Sequence, residues 1–262
     1  MTDFTTLELQ LDGAVARIWL NRPEMRNAID DVFIRELGAA FAEAEAAPGV
    51  RAVVLGGRGP AFCAGANLNW MKKAAEYTQE QNLKDAAGLP RMLRTLEQSR
   101  LPVIARIQGD VYAGGMGLVA VCDVAIAADT ANFCLSEVKI GLIPATISPY
   151  VIRAMGARAA HRYFLTGERF DAAEAQRIGF VHEVASADAL DDTLAALLKP
   201  LLSAGPAAVR ACKKLVIDVA GREIEPGLVA ATVEGIATIR ASAEGKEGVQ
   251  AFLSKRKPSW LA

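Results

Sequence analysis

Four glycines within nine residues constrain this chain more than any other stretch of it. The run Gln108-Gly109-Asp110-Val111-Tyr112-Ala113-Gly114-Gly115-Met116-Gly117-Leu118 follows a β-type apolar segment, Leu101 to Ile107, and leads into a helix-like one, Val119-Ala120-Val121-Cys122-Asp123. Glycine lacks Cβ and accepts positive φ, so amide N–H groups at the mouth of the following helix can approach a ligand oxygen. Phosphate, carboxylate and an enolate oxygen fit such a mouth equally well, and a close-packed structural turn also explains it. Glycines at 109, 114, 115 and 117 do not match the dinucleotide fingerprint GxGxxG, and no Gly-Lys-Ser/Thr phosphate loop occurs.

A second turn of the same kind, Gly56-Gly57-Arg58-Gly59-Pro60-Ala61-Phe62-Cys63-Ala64-Gly65-Ala66-Asn67-Leu68, follows the strand-like Val50 to Leu55. Farther on comes Ser136-Glu137-Val138-Lys139-Ile140-Gly141-Leu142-Ile143-Pro144. In order and spacing these three segments resemble the crotonase family, the enoyl-CoA hydratase/isomerase superfamily. The likeness runs from Asn21-Arg22-Pro23 through Leu165-Thr166-Gly167-Glu168 to the C-terminal helices. It implies an α/β fold, the ClpP-like spiral of repeated β-β-α units, over residues 1–195. Residues 196–262 would form a C-terminal helical region that builds trimers, often paired as hexamers.

The order of elements can be read from the residues themselves. Residues 5–11 and 14–20 flank Asp12-Gly13 as a hairpin. Asp30 is placed to cap a helix whose apolar residues Phe33, Leu37, Phe41 and Ala44 recur every three or four positions until Pro48-Gly49. Residues 50–55, 103–107, 124–128 and 132–135 read as strands. Leu68 to Gln98 reads as helix, irregular stretch, helix, with Glu76 to Asp85 either a mobile lid or a solvated helix end. Ser148-Pro149 caps a helix starting near Tyr150, and further helices are expected from about Leu190 to Gly205-Pro206, over 207–219, over about 226–242 and over 246–255.

Composition narrows the partners. With 52% hydrophobic residues, 23% charged and a formal charge of -1, the chain can bury a full core and offers no basic face for nucleic acid. Cys63, Cys122, Cys134 and Cys212 have no metal-ligand spacing and read as reduced core or near-core thiols. No signal peptide and no apolar run of membrane-spanning length is evident, so a cytoplasmic setting is expected. His161, His182 and Asp123 read as structural residues.

The remaining expectations come from the resemblance. It places two oxyanion-hole amides at Ala66 and Gly114, where preorganised N–H donors stabilise a thioester enolate by on the order of 3–4 kcal/mol each. It implies that Arg26, Ala28, Ala64, Ala66, Asn67 and Leu68 line coenzyme A, with Asn67 standing where the family usually carries Asp. Phe252 and Lys255 would meet the adenine and phosphates from a neighbouring subunit. Coenzyme A thioester is then the substrate carrier, with no further cofactor and no metal. Hydratases of this family commonly use two glutamates: Glu137 matches one, and Gly117 occupies the position of the other. Two activities compete: hydration of a substrate that brings its own carboxylate, and Δ3,Δ2-enoyl-CoA isomerisation, for which one glutamate is the family's ordinary arrangement. The segments Asn67 to Met71, Gly115 to Leu118 and Gly141 to Arg153 look like the bacterial 3-methylglutaconyl-CoA and isohexenylglutaconyl-CoA hydratases, which would place the chain in leucine or fatty-acid breakdown. A non-catalytic trimeric scaffold or RNA-associating member is the remaining alternative.

Overall fold

The computed structural model describes residues 2–261. Its first unit extends to Leu194 and its second runs from Ala195. The first opens with the hairpin β1 (Leu7–Asp12) and β2 (Val15–Leu20), paired antiparallel with Asp12 opposite Val15, so the turn is Gly13-Ala14 with Gly13 at φ 56°. Helix α1 (Asp31–Ala46) follows; the Asp30 side chain accepts from the Phe33 N–H, and Phe33, Leu37, Phe41 and Ala44 are all buried. Each of the three larger side chains contributes about 1.5–3 kcal/mol of transfer free energy by leaving water.

Next come β3 (Ala52–Gly57), β4 (Ala61–Cys63), α2 (Leu68–Ala74), α3 (Gln79–Ala86) and α4 (Gly88–Glu97). The second round holds β5 (Val103–Ile107), β6 (Asp110–Tyr112) and α5 (Gly114–Ala120). The third holds β7 (Val124–Ala128), β8 (Asn132–Cys134) and α6 (Ser148–Thr166). In each round the first strand joins one sheet and the second joins another: β1-β2-β3-β5-β7-β10 form a six-stranded sheet, and β4-β6-β8-β9 a four-stranded one. Here β9 is Arg169–Asp171 and β10 is Glu183–Ala185, separated by α7 (Ala172–Arg177). This is the expected α/β spiral, and its parallel strands β3, β5 and β7 are almost wholly buried, as continuous apolar runs require.

The stretch 76–85 differs from expectation. It is not irregular: α3 occupies most of it and starts at a capping box, the Thr78 hydroxyl accepting from the Gln81 N–H while Gln81 accepts from the Thr78 N–H. None of its residues is buried, so there was no apolar stripe to read; the Thr-x-x-Gln pattern was the available signal. At α6, Ser148 is already helical and its hydroxyl donates to the Ala145 carbonyl instead of capping, while Gly156 (φ 78°) breaks the helix midway. Cys63 and Cys134 are buried, Cys122 is intermediate, and Cys212 is exposed, which corrects its reading as a core thiol.

The second unit contains α9 (Pro206–Val219), α10 (Pro226–Ala241) and α11 (Ala243–Leu253), reached through α8 (Leu190–Ser203). Glu244 caps α9 by accepting from the Ala207 and Ala208 N–H groups. Among the described residues no helix is long and apolar enough to cross a membrane.

Candidate active site

The two glycine turns pack back to back. A Cβ on Gly65 would lie 2.9 Å from Ala113 Cβ and 3.2 Å from the Tyr112 carbonyl oxygen, and one on Gly115 would lie 2.6 Å from the Cys63 carbonyl oxygen. Only glycine allows this approach, and Gly65 also adopts φ 91°. Ala113 is held at φ 48°, ψ −118°, a conformation unfavourable for a residue with Cβ, while its N–H donates to the Cys134 carbonyl. That strained residue starts α5 abruptly after β6. The sequence-predicted Ala66 and Gly114 are therefore each one residue beyond a direct contact, and neither N–H donates to an acceptor among the described residues.

The loop at Arg26 to Ile29 runs beside Ala64 to Asn67. Ala64 N–H donates to the Arg26 carbonyl (3.0 Å), Ile29 N–H to the Gly65 carbonyl (2.7 Å) and Asn67 N–H to the Ile29 carbonyl (2.8 Å). Arg26, Ala28, Ala64, Ala66, Asn67 and Leu68 thus form one continuous strip. Within it, Arg26 pairs with Asp110 (2.6 Å), Ala28 is buried and Leu68 is exposed. Arg26 and Asn27 both have positive φ. Asn27 was not anticipated as a site residue; it is buried, accepts from the Arg22 N–H and donates to the carbonyls of Arg58 and Ala61, fixing the first glycine turn to this loop. Phe252 and Lys255 lie in the second unit, where both are exposed.

Glu137 begins a single 3₁₀ turn, Glu137–Ile140, that follows β8. Its Oε2 is buried and has no hydrogen-bond partner, and burial pushes its carboxyl up from the ordinary glutamate range. An unpaired buried carboxyl oxygen is costly, so its retention points to chemistry. Position 117 is the opposite case. A Cβ on Gly117 would sit 2.4 Å from Ile147 Cγ2 and 3.3 Å from Leu93 Cδ1, so apolar side chains fill the space a second carboxyl would need. His182 Nδ1 accepts from the Ala125 N–H, and Asp123 accepts from the Val103 N–H, both structural roles. Among the described residues no three His, Cys, Asp or Glu converge as metal ligands.

Because Glu137 holds its proton more tightly folded than unfolded, its contribution favours the fold below the ordinary glutamate range and is lost as pH rises through the raised value. Glu137→Gln should therefore melt above wild type near neutrality, the two converging below the ordinary range. Equal melting temperatures near neutrality would show that the carboxyl carries no such penalty.

A family model described as enoyl-CoA hydratase/isomerase matches residues 10–262. A relative from Thermus thermophilus is 35% identical over 246 residues, 94% of this chain and 97% of that protein. The crystal structure of an enoyl-CoA hydratase from Shewanella pealeana aligns with a TM-score of 0.95 at 42% identity, covering 98% of this chain and 96% of the other. That of Pseudomonas aeruginosa AtuE aligns at 0.94 and 37%, covering 98% and 100%.

Proposed function

Since the chain belongs to the enoyl-CoA hydratase/isomerase family, we propose that it adds water across the double bond of 3-methylglutaconyl-CoA or a related branched enoyl-CoA bearing its own carboxylate. The supporting observation is the pairing of Glu137, whose Oε2 is buried without a hydrogen-bond partner, with a filled position 117. One protein carboxyl is then available for both proton movements.

The chemistry closes with that single group. Ionised Glu137 takes a proton from water as the water oxygen bonds to Cβ; the thioester becomes an enolate whose oxygen is held by the Ala66 and Gly114 N–H groups. Protonated Glu137 then gives the proton to Cα, restoring the carbonyl and leaving one molecule of water added. The substrate's carboxylate would hold the water on the side where Gly117 offers nothing. Coenzyme A would lie along the strip Arg26, Ala28, Ala64, Ala66, Asn67 and Leu68 as the carrier. In a trimer or hexamer, Phe252 and Lys255 of a neighbouring copy would reach its nucleotide end; exposed Ile224, Val233 and Phe252 in the second unit favour such assembly.

Isomerisation is the second reading, and the absence of a carboxyl at position 117 favours it, because moving one hydrogen between Cα and Cγ needs a single base. Offering 3-methylglutaconyl-CoA, crotonyl-CoA and a 3-enoyl-CoA side by side separates the two. The branched acid should be hydrated at the highest kcat/KM. Rapid hydration of crotonyl-CoA without that preference would defeat the carboxylate assignment, and turnover of the 3-enoyl-CoA alone would establish the isomerase.

A further inference from the structure

Resting on the reading of Ala66 as an oxyanion donor, we propose that Arg22, Asp30 and Asn67 are positioning residues that clamp the Ala66 amide in its reactive orientation. The main chain on both sides of Ala66 is tied to Ile29: the Gly65 carbonyl accepts from Ile29 N–H, and Asn67 N–H donates to the Ile29 carbonyl. What fixes Ile29 is its neighbour. Asp30 Oδ1 accepts from Phe33 N–H (3.0 Å) and caps α1, while Oδ2 accepts from Arg22 Nη1 (2.6 Å) and Asn67 Nδ2 (3.3 Å). Asn67 uses its own Oδ1 to cap α2, accepting from Asn69 and Trp70 N–H. Arg22 Nη2 reaches the Ala28 carbonyl.

The Asp30 carboxylate therefore joins the chain after β2, the start of α1 and the start of α2, with Ala66 between the last two. Capping alone needs no bond between the two capping side chains, so the Asn67 to Asp30 link is the feature that capping leaves unexplained. The ion pair is largely buried, with 14% and 13% of the Arg22 and Asp30 side chains exposed. Burial pushes the Asp30 carboxyl up, but the hydrogen bonds from Arg22, Phe33 N–H and Asn67 prevail and hold it below the ordinary value. It stays ionised across the neutral range.

Asn67→Ser tests the clamp, because serine still caps α2 but has no amide to give Asp30. A small misplacement of a donor costs up to about 100-fold in rate, so kcat should fall on the order of 10- to 100-fold. A bound aryl-conjugated enoyl-CoA supplies the spectroscopic readout. In wild type the two N–H groups polarise its thioester and move its absorption to longer wavelength; in Asn67→Ser that displacement should shrink. Asp30→Asn should lose more, and should it not fold, Asn67→Ser decides alone. A folded Asn67→Ser with wild-type kcat and the full displacement would overturn the clamp. No displacement in wild type would instead sink the oxyanion reading on which it rests.

Discussion

Replacing Glu137 by glutamine should lower kcat by about 10²- to 10⁴-fold, the range over which a positioned acid/base acts, while leaving KM for the acyl-CoA nearly unchanged. Glutamine keeps the size and planarity of the side chain, so the 3₁₀ turn and the adjoining loop persist. The proposed donors, the Ala66 and Gly114 amides, are untouched and should continue to bind the thioester. What disappears is the group that accepts a proton and returns it, and such a loss falls equally on kcat and kcat/KM. The pH profile gives an independent check. Glu137 must be ionised to begin, and burial raises its carboxyl above the ordinary glutamate range, so wild-type kcat/KM should rise through that raised value and then level off. Glu137→Gln should lack this limb. Near-wild-type turnover in Glu137→Gln would remove the single acid/base from hydration and isomerisation alike.

The parts of this site that the sequence disclosed are those made by backbone. Gly65 and Gly115 could be read because close approach of two main chains demands glycine, and the spacing of the glycines after apolar strands survives as a pattern. The α1 stripe of Phe33, Leu37, Phe41 and Ala44 was legible for a similar reason, one buried face repeating with the helical period. Helix α3 has no buried face, so its polar run 76–85 left a mobile lid and a solvated helix end equally open, with only the Thr78–Gln81 box to mark its start. The three-residue strands β4, β6 and β9 were equally silent; they are strands only because segments far along the chain pair with them, as Ala61 with Asp110 and Phe133 with Phe170.

Side-chain linkages were the least visible layer. Arg22, Asn27, Asp30 and Asn67 each have an ordinary local explanation in sequence, a strand stop, a loop residue and two helix caps. Their joint function depends on β2, α1 and α2 starting or ending at one point, which no spacing encodes. Asn67 also acquires a reason: with Asp30 Oδ2 only 3.3 Å from its amide, an aspartate there would set two carboxylates against each other across Arg22. The amide supplies the donor that this arrangement requires.

Gly117→Glu, which installs the carboxyl that two-glutamate hydratases carry at this position, should destabilise the protein and lower its activity instead of improving it. The new Cβ would lie 2.4 Å from Ile147 Cγ2 and 2.9 Å from Ile147 Cβ, and a β-branched side chain at the start of α6 cannot swing aside. Overpacking of this kind costs about 1–3 kcal/mol, and a buried carboxyl without partners adds about 1–3 kcal/mol more. Against a total stability of roughly 5–15 kcal/mol, the sum is enough to shift the denaturation midpoint severely. Ile147→Gly alone should also be destabilising, by the cavity it leaves. Combined, the two changes relieve each other: the glutamate enters the space the isoleucine vacated, so the double variant should be more stable than the sum of the singles predicts, by about 0.5–3 kcal/mol. With a second carboxyl to hold water, its preference for a carboxylated substrate over crotonyl-CoA should narrow. Denaturant midpoints for the four proteins of this cycle measure the coupling. Additive effects, within about 0.5 kcal/mol, would mean that Ile147 does not fill the missing glutamate's place, and an unchanged substrate preference would mean that the substrate's carboxylate does not stand in for it.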